Sequence, residues 1–137
     1  MPSTSVQTAE TYLGTYRAAA YTQHLHPGAD WNYGAAATTA PNTVALAGHW
    51  DVESHQIVAG AGARLRFDYT APRIYLVAAP PASGAVSLAV TVDGKHHAAV
   101  RVPADDLYQL AHMPAPGPHL LDLAVPAGTT LYSFTFG

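Results

Sequence analysis

The feature that most constrains this chain is a repeat of two. In residues 131–136, Tyr132, Phe134 and Phe136 fall on one face while Ser133 and Thr135 take the other. A half-buried antiparallel strand has this period and a helix does not. The same pattern recurs upstream. Leu65, Phe67 and Tyr69 alternate with Arg64, Arg66 and Asp68, after which Ala71-Pro72 turns the chain into a strand over 73–79. Val86, Leu88, Val90 and Val92 alternate with Ser87, Ala89 and Thr91. Asp93-Gly94 then reads as a type I′ turn into a strand over 95–102. Further strands are predicted over 43–52, 54–58, 106–111 and 119–125, with turns at 114–118 and 126–128. About eight or nine short strands, punctuated by Gly, Pro and Asp, predict an all-β fold of jelly-roll or galactose-binding-like antiparallel β-sandwich type. Residues 1–137 are read as one domain, whose last segment is needed for folding.

Hydrophobic residue types make up 49% of the chain and charged types 11%, which excludes a disordered, highly charged polymer. The formal net charge of -3 offers no basic field for a phosphate backbone, so no nucleic-acid partner is expected. Eight histidines outnumber the six Lys and Arg, and the net charge should change sign as pH falls through roughly 6.5. The lack of cysteine excludes disulfides, thiolate metal ligands and a Cys nucleophile. The first residues show no basic and then apolar export pattern. No run approaches the roughly 20 apolar residues of a membrane-spanning helix, so no membrane insertion is expected. The compartment stays open on the residues alone.

Residues 22–41 are rich in Ala, Gly, Thr and Asn and are predicted to form a long loop, which makes them a candidate binding surface. Within it, Trp31 and Tyr33 stand beside Asp30 and Asn32. Exposed rings stack on the apolar face of a sugar while carboxylates and amides take its hydroxyls. The other reading is a loop whose rings fold back onto the edge of the sandwich. His24 and His26, at i and i+2, would project to one side of an extended segment as a minimal metal pair. They have no third ligand at a suitable spacing, so no metal or other cofactor is expected. His96 and His97 are adjacent and point to opposite faces of a strand. His112 and His119 flank a proline-rich turn and are read as exposed loop imidazoles.

His49-Trp50-Asp51 places His49 and Asp51 on one face, half of an acid–base pair. Ser54, Ser83, Ser87 and Ser133 lie in no Gly-x-Ser-x-Gly context, which leaves a serine hydrolase without its nucleophile elbow. Gly60-Ala61-Gly62 precedes a strand, not a helix, so it is no phosphate cradle.

Glu10-Thr11-Tyr12-Leu13-Gly14 with Arg17, then Leu46-Ala47-Gly48-His49-Trp50, Val92-Asp93-Gly94, Leu107-Tyr108-Gln109-Leu110 and the segment 132–137 occur in an order and spacing that resemble a known family. It is the C-terminal, carbohydrate-binding-like domain of DipZ-type, TlpA-like bacterial thioredoxin proteins, here without the thioredoxin domain. The resemblance implies a β-sandwich on the extracytoplasmic side. Redox chemistry is not carried over, since the chain has no cysteine. Glu10, Tyr12, Arg17, Trp50, Arg66, Tyr108 and Gln109 match family positions, and Glu10 with Arg17 is read as a buried ion pair.

The expected function is a non-catalytic module for a carbohydrate or other small polar ligand, touched by Trp31, Tyr33, His49, Trp50, Arg66, Tyr108 and Gln109. The alternative is a small stand-alone enzyme of specialised metabolism using His49 and Asp51 for proton transfer.

Overall fold

Alternation in the sequence becomes burial in the fold. The computed structural model describes residues 7–17, 20–35 and 39–137. Its strands are β1 (Thr11–Tyr12), β2 (Ala20–Tyr21), β3 (Asp30–Asn32), β4 (Thr43–Ala47), β5 (His49–Val52), β6 (Ile57–Ala59), β7 (Arg64–Tyr69), β8 (Arg73–Ala79), β9 (Val86–Val92), β10 (Lys95–His96), β11 (Val100–Val102), β12 (Asp106–His112), β13 (His119–Ala124) and β14 (Thr130–Phe136). Among the described residues, one 3-10 turn, at Thr15–Arg17, interrupts them. In β7 the apolar triad Leu65, Phe67 and Tyr69 is fully buried, while Arg64, Arg66 and Asp68 face outward.

Two seven-stranded sheets form the sandwich. One runs β12-β8-β14-β6-β5-β3, with β1 also on β14; the other runs β10-β9-β13-β7-β4-β2, with β11 also on β9. All pairings among the described residues are antiparallel except β2 with β4. The core lies between them, centred on Phe67. Its ring sits 5.0 Å from Phe134 and 5.9 Å from Phe136, and Phe136 stacks on Tyr69 at 6.0 Å. Such aromatic pairs contribute about 0.5–1.5 kcal/mol each beyond their buried area.

Four expectations change. The strand over 43–52 breaks at Gly48, whose positive φ of 71 sends β4 and β5 into different sheets. A Cβ there would run into the Gly62 carbonyl oxygen, so the crossing requires glycine. The strand expected over 54–58 is instead β6, because residues 53–56 form a turn in which Glu53 N–H donates to Gln56. The return strand of the Asp93-Gly94 hairpin is interrupted after His96: the register slips between Lys95↔Val92 and Val100↔Leu88. Asp93 and Gly94 themselves have the positive φ values, 52 and 79, of a type I′ turn.

The fourth change concerns the last strand. Its register with β8 slips between Leu131 and Ser133, a bulge at Tyr132. Leu131 and Phe134 are fully buried, and Tyr132 is set apart from Phe134 and Phe136. One extra residue thus reverses the face of everything before it. The freed Tyr132 carbonyl accepts from Leu13 N–H, tying the N-terminal segment to the final strand.

Candidate functional site

The segment after β1 is held by a run of carbonyls. Gly28 N–H donates to Val52, Thr15 N–H to Glu53 and Tyr16 N–H to Ser54, so three successive residues at the end of β5 anchor both N-terminal loops. Gly14 makes this possible. A Cβ at that position would stand 2.5 Å from the His55 Cα and would strike the Ser54 carbonyl oxygen. Leu13 is fully buried beside it, and the Tyr21 hydroxyl, whose pKa is pushed well up by burial, donates to the Leu13 carbonyl at 2.7 Å.

With the backbone held this closely, the side chains that remain outside enclose a cleft of about 250 Å³ lined by Tyr12, Gly14, Tyr16, Arg17, Ser54 and His55. The Arg17 guanidinium lies 5.3 Å from the Tyr12 ring centroid, a cation–π contact. Across the cleft, Tyr16 tilts against the His55 ring at 5.3 Å and is 73% exposed. The Tyr12 hydroxyl donates to Glu10 at 2.7 Å, which raises its pKa. The cleft therefore combines exposed ring faces with guanidinium, imidazole and hydroxyl donors, a set that can grip a small polar molecule with an apolar face.

Register extends this surface. Tyr12 pairs with Ser133, Ser133 with Val77, and Val77 with Leu107, so all four share one row on the outer face of the sheet. Leu107 is 50% exposed in that row, and Gln109 lies one row on, opposite Tyr75.

The long loop resolves differently. It contains β3, which pairs with β5 at the sheet edge. Trp31 stacks on His26 at 3.6 Å with planes 13° apart and remains 45% exposed. The Tyr33 hydroxyl accepts from His26 N–H, so these rings close the sandwich edge. Asp30 reaches His49, Oδ2 to Nδ1 at 2.9 Å. Gly60 leaves room for that pair, since a Cβ there would stand 2.8 Å from the His49 Cβ.

Several expected roles are corrected by these positions. Trp50 is fully buried, its Nε1 donating to the Ala47 and Arg64 carbonyls, so it is a core residue without a ligand face. His49 pairs with Asp30 and not with Asp51, whose Oδ1 is buried without a hydrogen-bond partner among the described residues. Glu10 and Arg17 are both exposed and form no ion pair with each other among the described residues; Tyr12 stands between them, bonded to one and stacked by the other. His119 is buried, not a loop imidazole.

The remaining expected residues are scattered. Arg66 shares Asp122 with Arg64 on the outer face of the second sheet. Tyr108 points inward, with its hydroxyl donating to the Ala104 carbonyl, whereas Gln109 points outward. Strand β12 and strand β3 occupy opposite edges of one sheet, about 24 Å apart at ~4.8 Å per strand. Trp31 and the β12 pair therefore belong to no common site. His24 and His26 meet edge to face at 5.4 Å, and no group of three ligating side chains forms among the described residues.

Tyr16, Ser54 and His55 are the site residues that the sequence reading missed. For Ser54 and His55 the only local signal is the polar turn Glu53-Ser54-His55-Gln56 between two apolar strands, and for Tyr16 it is the place directly before Arg17.

The family described as "Thioredoxin like C-terminal domain" matches residues 8–137. Among solved structures, the chain is similar to a family two carbohydrate esterase from Cellvibrio japonicus (TM-score 0.56, 16% identity, covering 68% of this chain and 30% of that one). A family two carbohydrate esterase from Clostridium thermocellum, solved in complex with cellohexaose, aligns with TM-score 0.56 and 19% identity over 64% of this chain and 29% of that one. The salicylyl-acyltransferase SsfX3 from a tetracycline biosynthetic pathway aligns with TM-score 0.54 and 16% identity over 64% of this chain and 34% of that one. These likenesses show the β-sandwich fold, and this chain spans about a third of the length of each neighbour or less. No curated protein matches the chain.

Proposed function

This chain belongs to the thioredoxin-like C-terminal domain family, and we propose that it acts as a non-catalytic module that binds a saccharide, with the Tyr12–Tyr16–Arg17–Ser54–His55 cleft as its site. The observation that carries this reading is Tyr16. A tyrosine 73% exposed over a cleft leaves apolar ring surface in water, which a pyranose face would cover. Ser54, His55 and Arg17 stand around it as hydroxyl-directed donors and acceptors. The Clostridium thermocellum neighbour holds cellohexaose, which supports looking for a saccharide here. Trp31 is a second exposed ring, on edge strand β3 of the same sheet, and Gly28 of its loop bonds to Val52 at the end of β5. It is proposed as a flanking contact for a longer chain.

The His49–Asp30 pair does not favour catalysis over binding. Both side chains are more than a third exposed on the open outer face, and no serine hydroxyl bonds to His49 among the described residues. Proton transfer needs a substrate held against the imidazole.

Isothermal titration calorimetry against an oligosaccharide panel tests the proposal. Binding that Tyr16→Ala weakens by roughly tenfold or more, at unchanged melting temperature, supports it; ring stacking of this kind is worth about 1–3 kcal/mol by analogy with base stacking. Absence of binding by every saccharide, or binding that Tyr16→Ala leaves intact, sinks it.

A further inference from the structure

We infer that the ligand of this cleft carries a carboxylate, so that the saccharide recognised is a uronic acid unit rather than a neutral hexose. The inference rests on the cleft being the ligand site and names what that ligand must present.

The argument is one of charge accounting. None of the residues lining the cleft is acidic, while Arg17 and His55 both are bases. The two nearest acids by sequence already have neutral donors: Glu10 accepts from the Tyr12 hydroxyl, and Glu53 accepts from the Gln56 amide at 2.8 Å. Arg17 forms no salt bridge among the described residues, as Arg73 and Arg101 form none, whereas Arg64 and Arg66 both take Asp122; of the unpaired arginines, Arg17 is the one that lines the cleft. A guanidinium presents five N–H donors in a fixed fork that matches a carboxylate in two parallel bonds. Its stacking on Tyr12 holds that fork at the cleft instead of leaving it to wander through solvent.

The geometry of a uronate meets both halves of the site. Its ring is a pyranose with an apolar face for Tyr16, and its C5 carboxylate projects from the ring edge toward donors. Tyr16 and Arg17 are consecutive, on the 3-10 turn whose residues the Glu53 and Ser54 carbonyls hold. Ring platform and cation thus come from one backbone segment, which Thr15 N–H and Tyr16 N–H tie to the turn after β5. Glu10 tempers the positive field from the far side of Tyr12, which favours a monoanion over a multiply charged ligand such as a phosphorylated or heavily sulfated sugar.

The test compares α-1,4-trigalacturonate with its fully methyl-esterified form, which keeps the sugar and removes the charge, by calorimetry at low and physiological salt. A sulfated trisaccharide of the same linkage serves as a third probe. Preference for the free acid, lost about tenfold or more in Arg17→Met and weakened by salt while the ester is unaffected, is the expected result. Arg17→Lys keeps the charge but not the fork and should recover only part of the preference. Melting temperatures of both variants should match the parent, since Arg17 is exposed. Equal binding of acid and ester overturns this inference and leaves the saccharide site standing. Tighter binding of the sulfated probe overturns it in favour of a more highly charged ligand. Failure of all three probes and of every neutral sugar overturns both readings.

Discussion

His119 Nδ1 lies 2.7 Å from Asp93 Oδ2, while its Nε2 lies 2.9 Å from the Ala115 carbonyl oxygen. One buried imidazole thereby ties the type I′ turn of the β9–β10 hairpin to the proline-rich connection before β13. Both nitrogens face acceptors, so both contacts are hydrogen bonds only when each nitrogen carries a proton. Asp93 also accepts from Leu120 N–H. Burial alone would raise the Asp93 carboxyl, but the His119 and Leu120 hydrogen bonds, with the charges of His119 and His97, outweigh it and lower its pKa. Replacing His119 by Ala removes both contacts and should cost about 1–3 kcal/mol in urea unfolding.

The same pair sets an acid dependence. A carboxyl whose pKa is lower folded than unfolded stabilises the fold above its unfolded value, near 3.9, and that contribution disappears as pH falls through its folded value. Asp68, raised by burial and by the charge of Asp93, acts in the opposite sense and limits the size of the effect. Asp93→Asn retains a residue suited to positive φ and so separates charge from turn geometry. The stability gap between the parent and Asp93→Asn should be present at pH 6 and shrink as pH falls below 4. The absence of a gap at every pH would show that Asp93 acts through the turn alone, and a gap that stays constant would show that its ionisation does not set the acid dependence.

The two tryptophans should part company. Trp50 is fully buried and doubly hydrogen-bonded through its indole, so Trp50→Ala should cost about 3–5 kcal/mol or prevent folding. Trp31→Ala removes a 45% exposed ring and its stack on His26, and should cost no more than about 1.5 kcal/mol. Thermal melts of both variants check this. It also means that loss of binding in Trp50→Ala carries no information about the ligand site.

Gly14 couples fold to site. Gly14→Ala forces the Ser54–His55 backbone away from the N-terminal segment. The expected outcome is a destabilisation of about 1–3 kcal/mol, as for other overpacked positions. A loss of ligand affinity should accompany it, although the substituted residue presents no group to the ligand. Calorimetry at a temperature where the variant is folded separates the two effects.

The final strand is structural. Strand β14 lies between β6 and β8, also carries β1, and buries Leu131 and Phe134 completely. Deleting residues 131–137 should abolish the folded far-ultraviolet circular dichroism signal, and Phe134→Ala alone should cost about 3–5 kcal/mol. A truncated chain that melts like the parent would contradict this role.

What could be read without the fold was whatever depends on neighbours in the chain. Strand β7 is legible because a period of two needs only six consecutive residues, and the Asp93-Gly94 turn because positive φ selects its own residue types. The breaks at Gly48 and Tyr132 were not legible, since each is set by a distant segment: the Gly62 carbonyl for one, the register with β8 for the other. The Glu10–Arg17 expectation failed for the same reason, because Tyr12 in β1 comes to stand between the two.

The site divides along the same line. The sequence by itself determined a β-sandwich, one faced with alternating apolar residues, and marked Tyr12 and Arg17 through a familiar motif. Only the tertiary structure decided that Ser54 and His55, some forty residues downstream, close the cleft around Tyr16. It also decided that Trp50 belongs to the core and that His49 takes Asp30 as its partner. Local pattern is governed by which face of a strand meets water. Which side chains meet one another is governed by backbone pairings and close approaches, such as Gly14 against Ser54, that no window of adjacent residues contains.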